Sequence, residues 1–318
     1  MKRKNVKCAL EEKNSIKIFV SYHKKYPIFC SKEIIPIHLG RSIAGLETKD
    51  GKISSKNKKW LLENLIGDNT GENISSENRK YCELTAQYWV WKHLDLISDA
   101  KYIGFMHYRR HFLFRNNVNI KNKKTWFNKS CVYCFSILNR LLFYKNLQSE
   151  NIKETIGDYD CILLKPFNVK NIGYTTVKDR YSLCGVNNPK NFKVFETTVN
   201  KMYPQYSKSI NEFIYGDNHI LCNMFIMKKE IFEEYAEFLF KTLNEIDKNL
   251  DYSIVHNPEE LRTLGYFGEY IHSLFIKINK ERFKIKYIDG IYYDEPPITL
   301  DKIKKITRFL NLKIKDSI

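Results

Sequence analysis

The chain has 318 residues, 43% of them apolar, so it can bury a sizeable core and is not an intrinsically disordered protein. Its 53 basic and 36 acidic side chains give a formal net charge of +17, which favours an anionic partner such as a nucleic acid, a membrane surface or a phosphorylated substrate without choosing among them. The first residues are too polar for a signal peptide, and no apolar run reaches the roughly 18 residues of a membrane span, so we expect a cytoplasmic location.

The chain begins with a polar segment, residues 1–14, which we expect to be a tail outside the folded domain. Apolar side chains alternate through residues 14–25, which predicts a strand whose apolar pattern stops at His23 and Lys24. Residues 40–80 are rich in Gly, Asn, Ser and Lys, a composition that predicts a loop.

A helix is predicted over residues 76–94, with Ser75 or Ser76 as its N-cap. Apolar side chains recur at helical spacing at Tyr81, Leu84, Tyr88 and Trp91. Trp91 therefore belongs to the buried face, whereas Trp89 lies off that face and is the better candidate for stacking on a ligand.

The next strand ends in a cluster of basic residues. The apolar run at 102–106 is followed at once by His107, Tyr108, Arg109 and Arg110. Ligands of open α/β sheets bind beyond the carboxyl ends of the strands, so this cluster and the basic end of the first strand face one crevice if the two strands are parallel. Arginine matches phosphate oxygens with a fork of donors, which favours a phosphorylated ligand. The alternative is a solvated basic edge whose arginines pair with local carboxylates.

Three later segments complete the domain. Residues 159–167 predict a strand closed by a proline, residues 219–246 a strand followed by a long amphipathic helix, and residues 281–293 late β structure. Strands that alternate with helices predict an α/β fold, here a single domain over residues 15–295.

The C-terminal segment, residues 296–318, opens with two prolines and differs from what precedes it. Ile303, Ile306, Leu310 and Ile314 fall on one helical face, and the basic residues lie mostly elsewhere. The pattern predicts a basic amphipathic C-terminal helix, lying either on an anionic membrane or on the protein's own domain.

Five segments, in order, resemble a family of domains from capsular and exopolysaccharide gene clusters that is grouped with glycosyltransferases. They are VSYHKK, GDNTGENISSENRKYCELTAQYWVWKHL, YIGFMHYRRHF, YDCILLKP and CNMFIMKKEIFEEYAEFLF. The resemblance implies a GT-A-like nucleotide-sugar transferase fold, with a single mixed sheet flanked by helices. It also implies transfer of a sugar from a nucleotide-diphosphate donor to a growing surface polysaccharide. A UDP-sugar is the favoured donor, with UDP-galactofuranose a candidate by family association.

The resemblance implies that the donor diphosphate binds at the basic strand ends. Most GT-A enzymes hold it through a metal on an Asp-x-Asp motif, but the basic cluster occupies that position here. We therefore expect Arg109 and Arg110 to stabilise the leaving diphosphate. No cofactor is expected to be required, and the alternative is that Mg²⁺ or Mn²⁺ assists. The expected donor-site residues are His23, Lys24, Asp68, Asn69, His107, Tyr108, Arg109 and Arg110. The loop that carries Asp68 and Asn69 is interpreted either as a mobile cover for the donor or as a set of Asx turns.

No metal site is expected. The literal Asp-x-Asp at Asp158 and Asp160 precedes a strand, which is the wrong end for the crevice, and is interpreted as turn chemistry. Cys131 and Cys134 form a C-x-x-C with no second ligand pair, so reduced and mostly buried thiols are the better interpretation.

An inverting transferase needs a carboxylate that takes the proton of the acceptor hydroxyl. The candidates, in order of preference, are Asp217, Glu269 and Glu83, each of which is alternatively a helix cap or part of an ion pair. The expected acceptor-binding residues are Trp89, His219 and Asn223. His219 and Asn223 match family positions, although such residues before an apolar strand are commonly satisfied structural groups.

Two other function classes fit the same charge. One is a nucleic-acid-binding protein and the other a phosphotransferase that uses the same crevice for a different donor. The sequence has no helix-turn-helix, ribonucleoprotein motif or zinc-finger spacing, so we expect no nucleic-acid partner. The expected partners are the nucleotide sugar, a glycan or lipid-linked glycan, and, through the C-terminal segment, the anionic inner face of a membrane.

Overall fold

The computed structural model describes residues 9–46, 53–114, 144–185, 187–253 and 259–293, and the backbone of 125–126 and 132–135. The predicted C-terminal helix at 296–318 and the cysteine at position 131 lie outside the described residues. Within the described ranges, no helix combines the length and the apolar character needed to cross a bilayer.

Strands and helices alternate, as the sequence predicts. The strands are β1 (Ile16–Tyr22), β2 (Ile34–His38), β3 (Ile66–Gly67), β4 (Tyr102–His107), β5 (Arg110–Phe112), β6 (Thr125–Trp126), β7 (Val132–Phe135), β8 (Cys161–Leu164), β9 (Phe167–Asn168), β10 (Asn218–His219), β11 (Phe225–Lys228), β12 (Ile285–Ile288) and β13 (Gly290–Tyr293). The α-helices are α1 (Ser55–Asn64), α2 (Asn78–Tyr81), α3 (Leu84–Lys92), α4 (Ser149–Ile156), α5 (Val177–Leu183), α6 (Pro189–Met202), α7 (Ser207–Ile214), α8 (Lys229–Asn249) and α9 (Thr263–Asn279). Short 3-10 turns occupy Arg41–Ile43, Ser75–Glu77, Leu94–Ile97, Val169–Ile172, Pro204–Tyr206 and Glu260–Arg262.

The centre of the fold is a mixed sheet with the strand order β3-β2-β1-β4-β11-β8-β12. Neighbours in this row are parallel, except that β11 runs antiparallel to both β4 and β8. β1 and β4 pair in parallel, with Ser21 opposite His107. The two basic strand ends therefore lie side by side, as predicted, at what we call the carboxyl edge: the edge formed by the carboxyl ends of β1 and β4.

A second set of strands extends the sheet beside β4. β5 follows β4 through a tight turn in which His107 pairs with Arg110. β5 then pairs antiparallel with β13, which places Tyr292 opposite Arg110, and β13 pairs in parallel with β7. The late β structure predicted at 281–293 is confirmed, and it supports the turn that carries the two arginines.

β1 is buried along its whole length, so the alternation of its apolar and polar side chains does not produce one solvent-exposed face and one buried face. Even Lys17 is 2% exposed, and its ammonium donates to the carbonyl oxygens of Ala9 at 2.7 Å and Glu12 at 2.6 Å. These bonds replace water around a charge that is costly to bury alone. Because Ala9 is itself buried, the packed unit begins inside the segment predicted to be a tail.

Two local predictions before β4 are wrong. Residues 40–80 are not all loop, because they contain α1 and β3; Ser54 caps α1 with its side chain. The helix predicted over 76–94 is split into α2 and α3 at Cys82, whose φ of 53° is incompatible with a continuous helix. α2 begins at Asn78, so neither serine proposed as an N-cap has that role.

The strand and helix predicted over 219–246 are confirmed as β11 and α8, with the strand starting later, at Phe225. α8 and α9 pack against each other. Both helices bury apolar faces in the core, including Phe232 and Leu239 from α8 and Phe267 and Leu274 from α9. This layer holds α9 against the carboxyl edge.

Candidate active site at the carboxyl edge

Several elements supply polar side chains to the carboxyl edge. Arg109 lies in the turn between β4 and β5, and Arg110 begins β5. Because β11 is antiparallel to β4, the segment that enters β11 also lies at this edge. The α2–α3 junction supplies Glu83 and α9 supplies Glu269.

Arg109 and Arg110 lie against aromatic rings. The guanidinium of Arg109 is 5.3 Å from the ring centre of Tyr108 and 5.6 Å from that of Tyr292, and that of Arg110 is 5.7 Å from Tyr292. Burial lowers the pKa of Arg110, but nearby groups, including Glu269, raise it on balance. Both arginines are half-buried and remain cations at the edge.

The other predicted donor residues near β1 and β4 differ in exposure. His23 is exposed and its ring meets that of Tyr108 edge-on at 5.2 Å. Lys24 is half-buried. Tyr108 is 5% exposed and packs against Tyr22 and Tyr26. Its ring supports Arg109, and its predicted contact with the donor stays a prediction.

His107 faces the segment before β11 rather than the crevice. Its Nε2 lies 2.6 Å from the carbonyl oxygen of Cys222 and 4.0 Å from the Glu83 carboxylate. A carbonyl can only accept, so Nε2 carries a proton and donates it. Burial lowers the pKa of His107 although Glu83 opposes the change. We therefore interpret the ring as a neutral donor that positions the chain at Cys222.

Cys222 and Asn223 form a strained turn at the centre of the site. Their φ angles are 76° and 47°, in the left-handed region that non-glycine residues rarely adopt. The Asn223 amide is buried and donates to the Glu83 carboxylate at 2.9 Å and to the Gly265 carbonyl at 3.2 Å. The backbone N–H of Cys222 donates to the Glu269 carboxylate. The turn therefore positions two carboxylates at once.

Two glycines of α9 allow this close packing. A Cβ on Gly265 would lie 2.8 Å from the sulfur of Cys82, and a Cβ on Gly268 would lie 2.6 Å from a methyl group of Leu84. Only glycine fits at such distances without a shift of the neighbouring atoms. The two glycines therefore bring the junction that carries Glu83 against the helix that carries Glu269.

Glu269 has the electrostatic environment of a group that exchanges protons near neutral pH. Burial raises the pKa of Glu269 to about 7, Glu83 adds to the rise, and Arg180 and Arg110 oppose it. The side chain nevertheless keeps 17% exposure, so it can meet a ligand. A carboxyl group with a pKa near the working pH is suited to general acid–base chemistry.

His219 lies behind Glu269 and is buried. Its Nε2 is 3.6 Å from the Glu269 carboxylate, and its Nδ1 is 3.2 Å from Oγ of Ser273. Burial lowers the pKa of His219 well below its ordinary value, and Arg180 adds to this, so the contact with Glu269 is not an ion pair at neutral pH. His219 and Asn223 are both buried and position neighbouring groups, and their predicted contact with the acceptor stays a prediction.

Asp217 does not fit the role of base that we ranked first. Lys170 pairs with its carboxylate at 2.9 Å, and this bond is the main cause that lowers the pKa of Asp217. A carboxylate that is already paired and acidic is a poor proton acceptor near neutral pH. The geometry favours Glu269 as the base, with Glu83 as the charge beside it.

Asp68 is buried rather than displayed on a mobile cover. Its carboxylate accepts hydrogen bonds from the backbone N–H groups of Gly40 (2.7 Å) and Arg41 (3.0 Å), and from the hydroxyls of Ser75 (2.6 Å) and Thr85 (2.7 Å). We call these five residues the Asp68 anchor. The anchor ties the loop to β2 and α3, which contradicts a ligand role for Asp68.

The rest of that loop is turn chemistry, the alternative interpretation of the sequence. Asn73 accepts from the backbone N–H of Ser75 and donates to the Gly71 carbonyl. Gly71 has a φ of 56°, and a Cβ there would lie 2.2 Å from His93. Asn69 is exposed next to β3, so its predicted donor contact stays a prediction.

Both tryptophans of α3 pack within the protein, as predicted for Trp91 but not for Trp89. Trp89 is 4% exposed, its indole N–H donates to the carbonyl oxygen of Thr70 at 3.0 Å, and its ring stacks on His93. It has no free face for a sugar. Trp91 is half-buried and stacks on Phe240 of α8.

Asp158 and Asp160 lie at the start of β8, away from the carboxyl edge, as predicted. Asp158 pairs with Lys284, and Asp160 pairs with Lys228 at 2.6 Å. Within the described ranges, no group of three or more His, Cys, Asp or Glu side chains is placed to hold a metal ion. The expectation that catalysis requires no cofactor stays a prediction.

Sequence reasoning missed Arg180 and the Cys222 backbone. Arg180 follows a capping box in which Thr176 and Asp179 exchange hydrogen bonds at the start of α5. That motif is a local signal for the helix. Nothing local indicates that α5 lies beside Glu269, because that contact joins positions about 90 residues apart, as in the 3.5 Å bond from Arg180 to Tyr270.

Comparison with known proteins places the chain among related sequences and folds. The model of a family described as Domain of unknown function (DUF4422) matches residues 17–280. A solved structure of the bifunctional glycosyltransferase WbbM in its apo form matches with a TM-score of 0.74 and 28% identity, over 90% of this chain and 48% of that one. This chain therefore spans about half the length of that structure. The match confirms the predicted mixed α/β fold class, and a search of curated proteins found no match.

Proposed function

The chain belongs to the DUF4422 family, and on that premise we propose that it is a glycosyltransferase whose active site is the carboxyl edge. The observation that carries the proposal is the placement of two half-buried arginines and a carboxyl group with a pKa of about 7 at one edge of the sheet. The fold that the chain shares with a glycosyltransferase over 90% of its length supports this choice.

In the proposed reaction, Arg109 and Arg110 bind the diphosphate of a nucleotide sugar. Bond cleavage between the anomeric carbon and the diphosphate oxygen leaves negative charge on the diphosphate, and fixed cations at that point stabilise it. The aromatic rings of Tyr108 and Tyr292 hold both guanidinium groups in place before the donor arrives. Little reorganisation is then needed during the reaction.

Glu269 is the proposed base. It takes the proton of an acceptor hydroxyl while the hydroxyl oxygen attacks the anomeric carbon and the diphosphate leaves with the bonding electron pair, which inverts the configuration at that carbon. The proton remains on Glu269 until product leaves. The neighbouring Glu83 favours this protonated state, because it raises the pKa of Glu269.

The finer identity of the substrates is also part of the proposal. We favour a UDP-sugar as the donor, with UDP-galactofuranose a candidate, and a capsular or other surface polysaccharide as the acceptor. The basic amphipathic pattern at 296–318 supports attachment to the anionic inner face of a membrane, where a lipid-linked acceptor would be found. A chain ending at Pro297 should then lose binding to anionic vesicles and keep its affinity for nucleotides.

A binding experiment tests the proposal without knowledge of the acceptor. A thermal-shift panel of nucleoside diphosphates and bare nucleosides, with manganese or with EDTA, should show a diphosphate that raises the melting temperature. Arg109→Ala and Arg110→Ala should each weaken the binding of that diphosphate by about 1.5–3 kcal/mol, roughly 10- to 150-fold. The binding of the bare nucleoside should be nearly unchanged. We expect binding and turnover to survive EDTA.

The matched control is Lys228→Ala, which removes a cation from the opposite end of the sheet, where it pairs with Asp160. Folded arginine variants with unaltered diphosphate binding would contradict the proposal. Loss of all turnover in EDTA, restored by manganese, would contradict the metal-independent mechanism. Phosphate transfer without sugar transfer in product analysis would indicate a phosphotransferase.

A further inference from the structure

Arg180 differs from two other arginines that flank the helices, the half-buried Arg262 and the exposed Arg282. Arg262 pairs with Glu259 at 2.7 Å, and Arg282 pairs with Glu234 at 2.7 Å. Among the described residues, Arg180 forms no such ion pair, and its hydrogen bond is a long one of 3.5 Å to the hydroxyl of Tyr270. Most of the five N–H donors of its guanidinium are therefore available to a ligand.

The backbone that carries Arg180 is firmly held. The capping box of Thr176 and Asp179 fixes the first turn of α5, and the N–H of Val177 donates to the carbonyl of Gly216 at 2.8 Å. Val177 and Tyr181 are buried in the core. A half-buried cation on a fixed helix is already positioned for a ligand before binding, which lowers the entropic cost of binding.

Arg180 lies beside the proposed base but on a different side from the diphosphate arginines. It lowers the pKa of Glu269 and also that of His219, so its charge acts on that pocket. Arg110 approaches Glu269 from β5 at the sheet, whereas Arg180 approaches from α5 and contacts Tyr270 of α9. Glu269 therefore has one cation from each layer.

In a single displacement at the anomeric carbon, Arg110 and Arg180 would contact different ligands. The attacking hydroxyl approaches the anomeric carbon from the side opposite to the leaving diphosphate, and the base contacts that hydroxyl. A cation that flanks the base from the helical layer is thus next to the acceptor. We propose that Arg180 binds an oxyanion of the acceptor, either the carboxylate of a uronic acid or a phosphate, so that the acceptor is an acidic glycan or a phosphorylated one. This inference rests on the proposed function.

A simpler role for Arg180 would be to tune the charge of Glu269 alone. The two roles make different predictions for binding, because tuning does not require any contact with the acceptor. Equilibrium binding of an anionic probe therefore separates them, whereas turnover alone does not.

Three methyl glucosides that differ only at C6 serve as probes: the neutral hydroxymethyl form, the C6 carboxylate and the C6 phosphate. Each is titrated into the full-length protein saturated with the nucleoside diphosphate found by the panel above. We expect at least one anionic probe to bind at least fivefold more tightly than the neutral one. Arg180→Gln should abolish that preference, and Arg180→Lys should restore part of it. The anion that is preferred identifies the carboxylate or the phosphate as the source.

Lys178→Gln is the matched control, since it removes a cation from the same helix that is already paired with Glu196 at 2.9 Å, and it should keep the preference. The inference is overturned if neither anionic probe binds better than the neutral one, if Arg180→Gln keeps the preference, or if Lys178→Gln loses it to the same extent. It is also overturned if Arg180→Gln weakens the binding of the nucleoside diphosphate as much as Arg109→Ala does. Whether the nucleoside diphosphate binds at all tests the proposed function separately. A failure of the proposed function is therefore distinguishable from a failure of the inference about Arg180.

Discussion

Two carboxylates at the same end of the sheet, Asp68 and Glu269, have opposite environments. Asp68 accepts four hydrogen bonds from the other members of the Asp68 anchor. Glu269 accepts one from the backbone of Cys222, faces the like charge of Glu83, and lies 3.6 Å from a histidine that burial keeps neutral. A carboxylate whose hydrogen bonds are satisfied fixes the chain, whereas one that is poorly satisfied can change its protonation state at neutral pH.

The Asp68 segment and the residues around Glu269 also differ in what their polar groups contact. The segment that carries Asp68 looks like a ligand loop in the sequence, because it is polar and rich in glycine. Its polar groups are used within the protein, between β2, β3 and α3. The residues around Glu269 look ordinary in the sequence, but they bring charged groups from the sheet and from the helices together.

The largest expected effect comes from Glu269→Gln. Loss of the proposed base should lower kcat by about 10²- to 10⁴-fold, measured as release of nucleoside diphosphate from the donor that the binding panel identifies. The same variant should be more stable than the wild type at pH 8. The folded pKa of about 7 lies above the unfolded value of about 4.5, so the stability of the wild type falls as pH rises from about 4.5 to 7.

Melting curves of Glu269→Gln and wild type at pH 5 and pH 8 check the sign. The advantage of the variant should be present at pH 8 and should shrink as pH falls below 7. A variant that is inactive and also less stable at pH 8 would indicate a structural carboxylate like Asp68, and the comparison would fail.

Asp68→Asn should have the opposite profile. The amide cannot accept all the bonds that the carboxylate accepts, so we expect the free energy of unfolding to fall by about 2–4 kcal/mol. Below the melting temperature, the folded fraction should keep kcat within a few-fold of the wild type. Urea unfolding and turnover at low temperature measure both quantities. Loss of diphosphate binding in folded Asp68→Asn would restore the ligand role for this residue.

Asn223→Gly should have a smaller effect, confined to turnover. Glycine keeps the left-handed backbone of the turn but removes the amide that bonds Glu83 and Gly265. Loss of one positioning bond should lower kcat by about tenfold and leave donor binding unchanged. Cys222→Gly is the control, because it keeps the backbone N–H that reaches Glu269 and should stay within a few-fold of the wild type. Equal losses in the two variants would mean that backbone strain, and not the amide, matters.

Much of the fold follows from local patterns in the sequence. The apolar runs of β1, β4 and β8 are bounded by charge or proline, and the amphipathic period of α8 spans its whole length, so these elements are predictable. The split between α2 and α3 is not, because Cys82 carries no local signal for a positive φ. The buried state of Lys17 also depends on distant carbonyl groups.

The site is predictable only in part, for a related reason. The arginines follow their own strand, and the parallel pairing of β1 and β4 is a standard arrangement, so the basic edge is readable from the sequence. The choice among Asp217, Glu269 and Glu83 depends on which partner each meets. The lysine that pairs with Asp217 lies 47 positions earlier, and the glutamate that raises the pKa of Glu269 is 186 positions away. Sequence spacing does not carry that information.

The measurement that tests the central claim most directly is a titration of the Glu269 carboxyl group by carbon-13 NMR, with glutamate labelled at Cδ and the resonance assigned from Glu269→Gln. It needs neither donor nor acceptor. We predict a midpoint near pH 7, and a lower midpoint in Glu83→Gln, because Glu83 contributes to the raised pKa. A midpoint near the ordinary value of about 4.5 would contradict the account, since Glu269 would then be a satisfied structural carboxylate like Asp68.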